Sequence, residues 1–81
     1  MFTTYILYSY SIDSYYIGST SNIQDRIQRH NSGRSIYTKR GKPWTIVYQK
    51  NFDTKSDAYQ YELYLKSQKS RKYLEELIRT Q

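Results

Sequence analysis

Two predicted helices carry charged or titratable side chains on the face that should turn toward the core. In the segment 22–31, NIQDRIQRHN, Arg26 and His30 fall on the same stripe as the two isoleucines. Further along, Glu62 interrupts a stripe that is otherwise made of alanine, tyrosine and leucine. A carboxylate in such a place must pair, protonate or bind a metal ion. An arginine, a histidine and a glutamate on inward faces together indicate a site that handles phosphate groups.

Each of these residues, taken alone, also has a structural interpretation. Arg26 and Glu62 could form a salt bridge with each other, or lie at the edges of their faces and extend to water. His30 could serve as a capping or hydrogen-bonded histidine at the C-terminus of its helix. These alternatives stay open at the level of the sequence.

Three runs rich in β-branched and aromatic residues predict the strands that would position these helices. They lie at 3–10, 15–19 and 44–50, and the polar break between the first two predicts a hairpin. Each run is short enough to belong to a small sheet.

Capping signals predict three helices. Ser21, with Gln24 three residues later, has the spacing of a capping box, and Asn31 or Gly33 could end that helix in a left-handed cap. Asp53 or Thr54 would cap a second helix and Ser70 a third, so that the helices run over about 22–30, 55–68 and 71–79. The fold class is therefore α/β (α+β), a small three-stranded antiparallel sheet flanked by about three helices in the order β-β-α-β-α-α.

The composition predicts one small basic domain over residues 1–81. Thirteen Lys and Arg against seven Asp and Glu give a net charge of +6, which favours a polyanionic partner, first of all nucleic acid. The chain has no cysteine, which excludes disulfides and thiolate metal sites. No apolar run has the length of a membrane span or a signal-peptide core, and we expect a cytoplasmic protein without a membrane partner.

A basic loop over residues 33–43 is a second candidate for contact with a phosphate backbone. Its segment 36–42, IYTKRGK, contains one tyrosine and three cationic side chains, Tyr37, Lys39, Arg40 and Lys42. A loop that is only solvated is an equal alternative. One turn after Glu62, Lys66 would either reach the same phosphate or pair with that carboxylate.

The tyrosines carry a resemblance to a known family. Tyr5 closes the tripeptide TTY, Tyr16 opens the tripeptide YIG, and an arginine-bearing helix and a helical glutamate follow. This order resembles the GIY-YIG nuclease family, above all its small stand-alone bacterial members, over about residues 3–78. The sequence differs from the family pattern in the TTY motif, in Ser19 where many larger members have lysine, and in lacking an asparagine after the glutamate.

The resemblance implies a role for each matching residue. Tyr16 would be the general base or would orient the attacking water, and Tyr5 would hydrogen-bond the water or the phosphate. Arg26 would stabilise charge on the scissile phosphate, and His30 would contact that phosphate. The remaining two positions would be structural or metal-binding: Gly18 would allow tight packing, and Glu62 would bind one Mg²⁺ or Mn²⁺ ion.

The implied function is a metal-dependent endonuclease that hydrolyses phosphodiester bonds in DNA without a small-molecule cofactor. Because the chain has no room for a separate sequence-reading domain, we expect structure-directed or weakly sequence-specific action, in DNA repair or recombination. The alternative is a nucleic-acid-binding module that cuts slowly or not at all, and a third is a structural subunit. The sequence does not determine the oligomeric state or the choice between DNA and RNA.

Overall fold

The computed structural model describes residues 1–33 and 38–81. Three strands form one antiparallel sheet in the order β2-β1-β3: β1 is Phe2–Ser9, β2 is Ser14–Thr20 and β3 is Trp44–Phe52. The helices are α1, Ile23–Ser32, α2, Lys55–Ser67, and α3, Arg71–Thr80, and a short 3₁₀ turn occupies Lys39–Gly41. This confirms the predicted α+β fold class and the order β-β-α-β-α-α. Tyr37 lies outside the described residues.

The predicted start of α1 was wrong by one residue. Asn22, not Ser21, is the N-cap, and its side chain accepts a hydrogen bond from the backbone N–H of Asp25. Asn22 has a β-region backbone and an acceptor that reaches the third helical N–H, so the capping box proposed for Ser21 and Gln24 is displaced. At the other end Gly33 adopts the left-handed conformation, with φ of 82°, that a C-cap favours.

The other two helices begin at caps that the sequence predicted. The side chain of Thr54 accepts from the N–H of Asp57, and that of Ser70 accepts from the N–H of Tyr73. Thr54 therefore caps α2 in preference to Asp53. None of the helices in residues 1–33 and 38–81 is long and apolar enough to cross a bilayer.

The sheet has a different core on each face because side chains alternate along its strands. On one face Tyr5, Leu7 and Trp44 pack with the two isoleucines of α1. On the other, Ile6 and Tyr48 pack with Leu65 of α2 and Leu74 of α3. Strand β2 forms one edge of the sheet, so residues from both faces can meet there.

Candidate active site

Gly18 creates an opening in the edge strand for the hydroxyl of Tyr5. These two residues are register partners in the β1–β2 pair. A Cβ added at Gly18 would lie 2.6 Å from the Tyr5 hydroxyl oxygen and 3.3 Å from a ring carbon of Tyr16. Only glycine leaves room for this approach, and the absent side chain lets the phenol extend across β2.

The hydroxyl of Tyr5 forms a hydrogen bond with a buried histidine. His30, of which only 2% is exposed, contacts the Tyr5 hydroxyl through Nε2 at 3.2 Å and the Thr38 hydroxyl through Nδ1 at 2.7 Å. Burial, with a smaller contribution from the nearby Arg26 guanidinium, lowers the pKa of His30 and keeps the ring neutral. The resemblance implied that His30 contacts phosphate, but the structure places it behind Tyr5, away from solvent.

Tyr5 itself is held as a neutral phenol. Burial raises its pKa far above the ordinary value of 10, and the neighbouring hydroxyl of Tyr16 acts in the same direction, while Arg26 partly opposes them. A phenol with a raised pKa can donate a hydrogen bond but is a poor base. Of the two motif tyrosines, Tyr16 is therefore the better candidate for proton abstraction, and its half-buried ring lies 6.5 Å from that of Tyr5, centre to centre.

Glu62 approaches the same edge of the sheet from α2. It is buried, with 9% of its surface exposed, and both carboxylate oxygens accept hydrogen bonds. Ser19 donates to Oε1 and Lys66 donates to Oε2, each at 2.7 Å. The predicted pairing of Lys66 with Glu62 is thus present, while the salt bridge between Arg26 and Glu62 is not.

Unlike Glu62, the guanidinium of Arg26 has no charged partner among the described residues. Within residues 1–33 and 38–81 it forms no ion pair, although the side chain is half-buried. It lines a depression of about 200 Å³ together with Ser19, Lys55 and Ala58. A half-buried cation that faces a small open depression is arranged to receive an anionic ligand.

Glu62 is the residue of this site that could hold a divalent cation. Each carboxylate oxygen keeps a lone pair beyond the hydrogen bond that it accepts, and the half-exposed Lys66 can turn toward solvent. The described part of the chain contains no cluster of three or more His, Cys, Asp or Glu. One carboxylate supplemented by water and substrate oxygens suits Mg²⁺, which binds few protein ligands. The donor set therefore fits a weakly held hard cation.

Three residues that contact the candidate site or line its depression were not predicted from the sequence as site residues. Ser19 was noted only as a departure from the family pattern, yet it donates to Glu62. Alternation along β2 could have identified it, because its register partner Thr4 faces α2 and donates to the carbonyl of Ala58 at 2.6 Å. Thr38 and Lys55 come from a loop and a helix start, where the sequence gives no comparable signal.

In the described part of the basic loop, Thr38 connects the loop to the candidate site. Thr38 contacts His30 through its hydroxyl and accepts the indole N–H of Trp44 at its carbonyl, which fixes the start of the 3₁₀ turn. Lys39, Arg40 and Lys42 follow on the surface and are exposed. Their predicted contact with nucleic acid remains a prediction.

This small α+β fold gathers two tyrosines, an arginine and a buried glutamate at one edge of its sheet. The chain belongs to the GIY-YIG family: the model of the GIY-YIG catalytic domain matches residues 1–74. This confirms the resemblance and assigns the chain to a family of nucleases.

The similar proteins are small bacterial members of the family. The chain is 41% identical over 56 residues to the UPF0213 protein SH2523 of Staphylococcus haemolyticus, and the aligned region covers 68% of each protein. It is 35% identical over 68 residues to the UPF0213 protein YazA of Bacillus subtilis, covering 79% of this chain and 69% of the relative. The NMR structure of the UPF0213 protein BH0048 from Bacillus halodurans superposes with a TM-score of 0.63 at 31% identity, over 100% of this chain and 86% of that one. None of these names states an activity.

Proposed function

We propose that the protein is a metal-dependent endonuclease that hydrolyses phosphodiester bonds in DNA. The observation that carries the proposal is the placement of Arg26 and Glu62. The guanidinium faces an open depression without an ion-pair partner in the described residues, and the buried carboxylate lies beside the same depression through Ser19. Both charges act on the Tyr5 hydroxyl, whose pKa Arg26 lowers and Glu62 raises, so the two groups belong to one site although they do not pair with each other.

Arg26 would bind the scissile phosphate. Its planar guanidinium can donate to two phosphoryl oxygens at once and stays charged at every relevant pH. Lys55, which also lines the depression, would add a second positive charge. Both contacts strengthen as negative charge develops on the phosphoryl group, which is the condition for catalysis.

Tyr16 would accept the proton of the attacking water. Tyr5 would donate a hydrogen bond to the water or to a phosphoryl oxygen, since its raised pKa keeps the phenol protonated. His30 would act as a positioning residue that orients the Tyr5 hydroxyl through Nε2. This role replaces the direct phosphate contact that the resemblance implied.

One Mg²⁺ or Mn²⁺ ion at Glu62 would neutralise charge on the leaving oxygen. Ser19 would hold the carboxylate in place, because its hydroxyl fixes one oxygen and leaves the other directed toward Lys66. Lys66 would have to leave Oε2 when the ion binds, and its exposed side chain could then contact the phosphate.

The experiment is a panel of labelled branched, single-stranded and duplex DNAs and RNAs, incubated with magnesium and with EDTA. The proposal expects cleavage of DNA only with the divalent ion, and a preference for certain strand structures over others would support structure-directed action in repair or recombination. Absence of cleavage across the panel would reject the nuclease function.

A second candidate is a nucleic-acid-binding module that cuts slowly or not at all. The observation in its favour is the ammonium of Lys66, which lies 2.7 Å from Glu62 where a cation would bind. Salt-dependent binding to the same panel without magnesium-dependent cleavage would support this alternative. If the protein neither binds nor cleaves any member of the panel, a structural role for the chain remains.

A further inference from the structure

A groove of about 490 Å³ runs between the outer edge of β2 and the junction of α2 with α3. Its floor is largely apolar, formed by Tyr15, Ile17, Leu65 and Leu74. Tyr16 and Lys66 also line it, so the groove continues directly from the candidate active site. Its volume is within the range of pockets that hold one small organic molecule.

Three cationic side chains, Lys66, Lys69 and Arg71, line the groove together with the carboxylate of Asp13. Lys66 is paired with Glu62. Arg71 pairs with Asp13 and Glu75, and its guanidinium carbon lies 5.2 Å from the centre of the Tyr15 ring. These contacts hold a flat guanidinium beside an aromatic ring. Lys69 is exposed and forms no ion pair with any described residue.

We propose that this groove binds one unpaired nucleotide of the substrate strand, at the side of the candidate active site where Tyr16 and Lys66 lie. The inference rests on the proposed function, in which Tyr16 activates the water that attacks the same strand. The cationic side chains alone would fit the backbone of any nucleic acid. The apolar floor is different, because a base that stays stacked in a duplex cannot contact it. An unstacked base can occupy such a floor and stack on aromatic rings or guanidinium planes, while its phosphate contacts the cationic side chains.

Lys69 offers a test of the phosphate contact without loss of the fold. Its backbone has a φ of 48°, a left-handed conformation that asparagine tolerates well. Lys69→Asn therefore removes the charge and suits the local geometry. The matched control is Lys72→Asn, which removes the same charge from a neighbouring position that lines a different part of the surface, with Glu75 and Glu76.

Binding is measured by fluorescence anisotropy in EDTA, with a labelled oligothymidylate, so that cleavage plays no part. Lys69→Asn should weaken binding roughly fivefold and lower the slope of log affinity against log salt by about 0.7, the value for one phosphate of a single strand. Lys72→Asn should change both less. Equal effects of the two variants, with circular dichroism showing both folded, would overturn the proposal.

The base contact is tested with an abasic strand of equal length and charge. The parent protein should bind the oligothymidylate more tightly than the abasic strand, and that preference should shrink in Tyr15→Leu. Tyr10→Leu is the control, because Tyr10 is 77% exposed and does not line the groove. Equal affinity for the two strands, tighter binding of a duplex, or equal effects of the two variants would reject an unpaired nucleotide in the groove.

The binding assay separates this inference from the proposed function. If Lys69→Asn binds more weakly than Lys72→Asn and the parent cleaves nothing with magnesium, the groove is supported and the nuclease is rejected. If the parent cleaves DNA with magnesium but Lys69→Asn and Lys72→Asn weaken binding equally, the nuclease is supported and the groove is rejected.

Discussion

The two faces of the sheet bring very different polar groups to the edge strand. On the α1 face Tyr5, His30 and Thr38 form a buried chain of neutral hydrogen-bonding groups. On the α2 face Glu62 is bonded by a serine and by the half-exposed Lys66. Buried neutral networks fix geometry, whereas a pair open to solvent can exchange partners. The comparison suggests a rigid tyrosine half that positions the reacting groups and an adjustable ionic half that admits a cation.

Among the partial losses of rate, the largest should come from Tyr16, whose ring lies beside that of Tyr5 in the tyrosine half. Tyr16→Phe removes only the hydroxyl, so the strand should keep its packing while the chemical step slows by roughly 10²–10⁴-fold, the scale of one general base. Tyr5→Phe should cost less, because a hydrogen-bond donor has the smaller task. Rates measured against pH for both variants decide this: the parent should become faster toward alkaline pH, and Tyr16→Phe should lose that dependence. An unchanged profile would assign the base elsewhere.

Arg26→Lys should have the next largest effect. The lysine keeps the charge but cannot donate to two oxygens in the planar geometry of a guanidinium, so we expect a loss of about 10²-fold, the usual scale for a donor that stabilises developing charge. Single-turnover rates at saturating DNA measure it. A rate within about twofold of the parent would mean that Arg26 contributes only its charge.

Thr38→Val tests whether the tyrosine half depends on the hydrogen bond between the Thr38 hydroxyl and His30. The substitution keeps the shape but leaves Nδ1 of the buried His30 without its partner, at a cost of about 1–3 kcal/mol in the free energy of unfolding. The rate should fall roughly tenfold, because Tyr5 loses its fixed orientation. Thermal unfolding and single-turnover rates are compared with Thr38→Ser, which keeps the hydroxyl and should restore both. A serine variant as impaired as the valine one would show that the methyl group, not the hydrogen bond, matters.

The smallest effect should come from Lys66, the exposed partner of Glu62 in the ionic half. Lys66→Met removes the ammonium that competes for Glu62, so the affinity for Mn²⁺ should rise a few-fold. Isothermal titration calorimetry measures this without any substrate. Lys69→Met serves as the control, because it removes a nearby charge that does not contact the carboxylate. Unchanged or weaker Mn²⁺ binding in Lys66→Met would contradict the exchange of partners at Glu62.

The sequence predicted the fold well because local signals decided it. Alternating strands, the caps at Thr54 and Ser70 and the apolar faces of the helices all act within a few residues of one another. The cap of α1 was misplaced by one residue because Ser21 and Asn22 are both good N-caps, and backbone geometry chose between them.

The site was less predictable, because its contacts join distant segments. Helical spacing placed Glu62 and Lys66 one turn apart, and their pair is present. The contact of His30 with Tyr5 spans 25 residues and depends on the passage of a phenol over Gly18. The burial of His30 and the roles of Ser19 and Thr38 follow from that packing, which no spacing rule encodes.

The most direct test of the account is cleavage by Glu62→Gln. The amide is nearly the same size and can still accept from Ser19, so the variant should fold and should bind DNA in EDTA with nearly the affinity of the parent. Because an amide oxygen holds Mg²⁺ far more weakly than a carboxylate, magnesium-dependent cleavage of the best substrate in the panel should disappear. Full cleavage by a folded Glu62→Gln would contradict the account, because the carboxylate would then have no part in the chemistry.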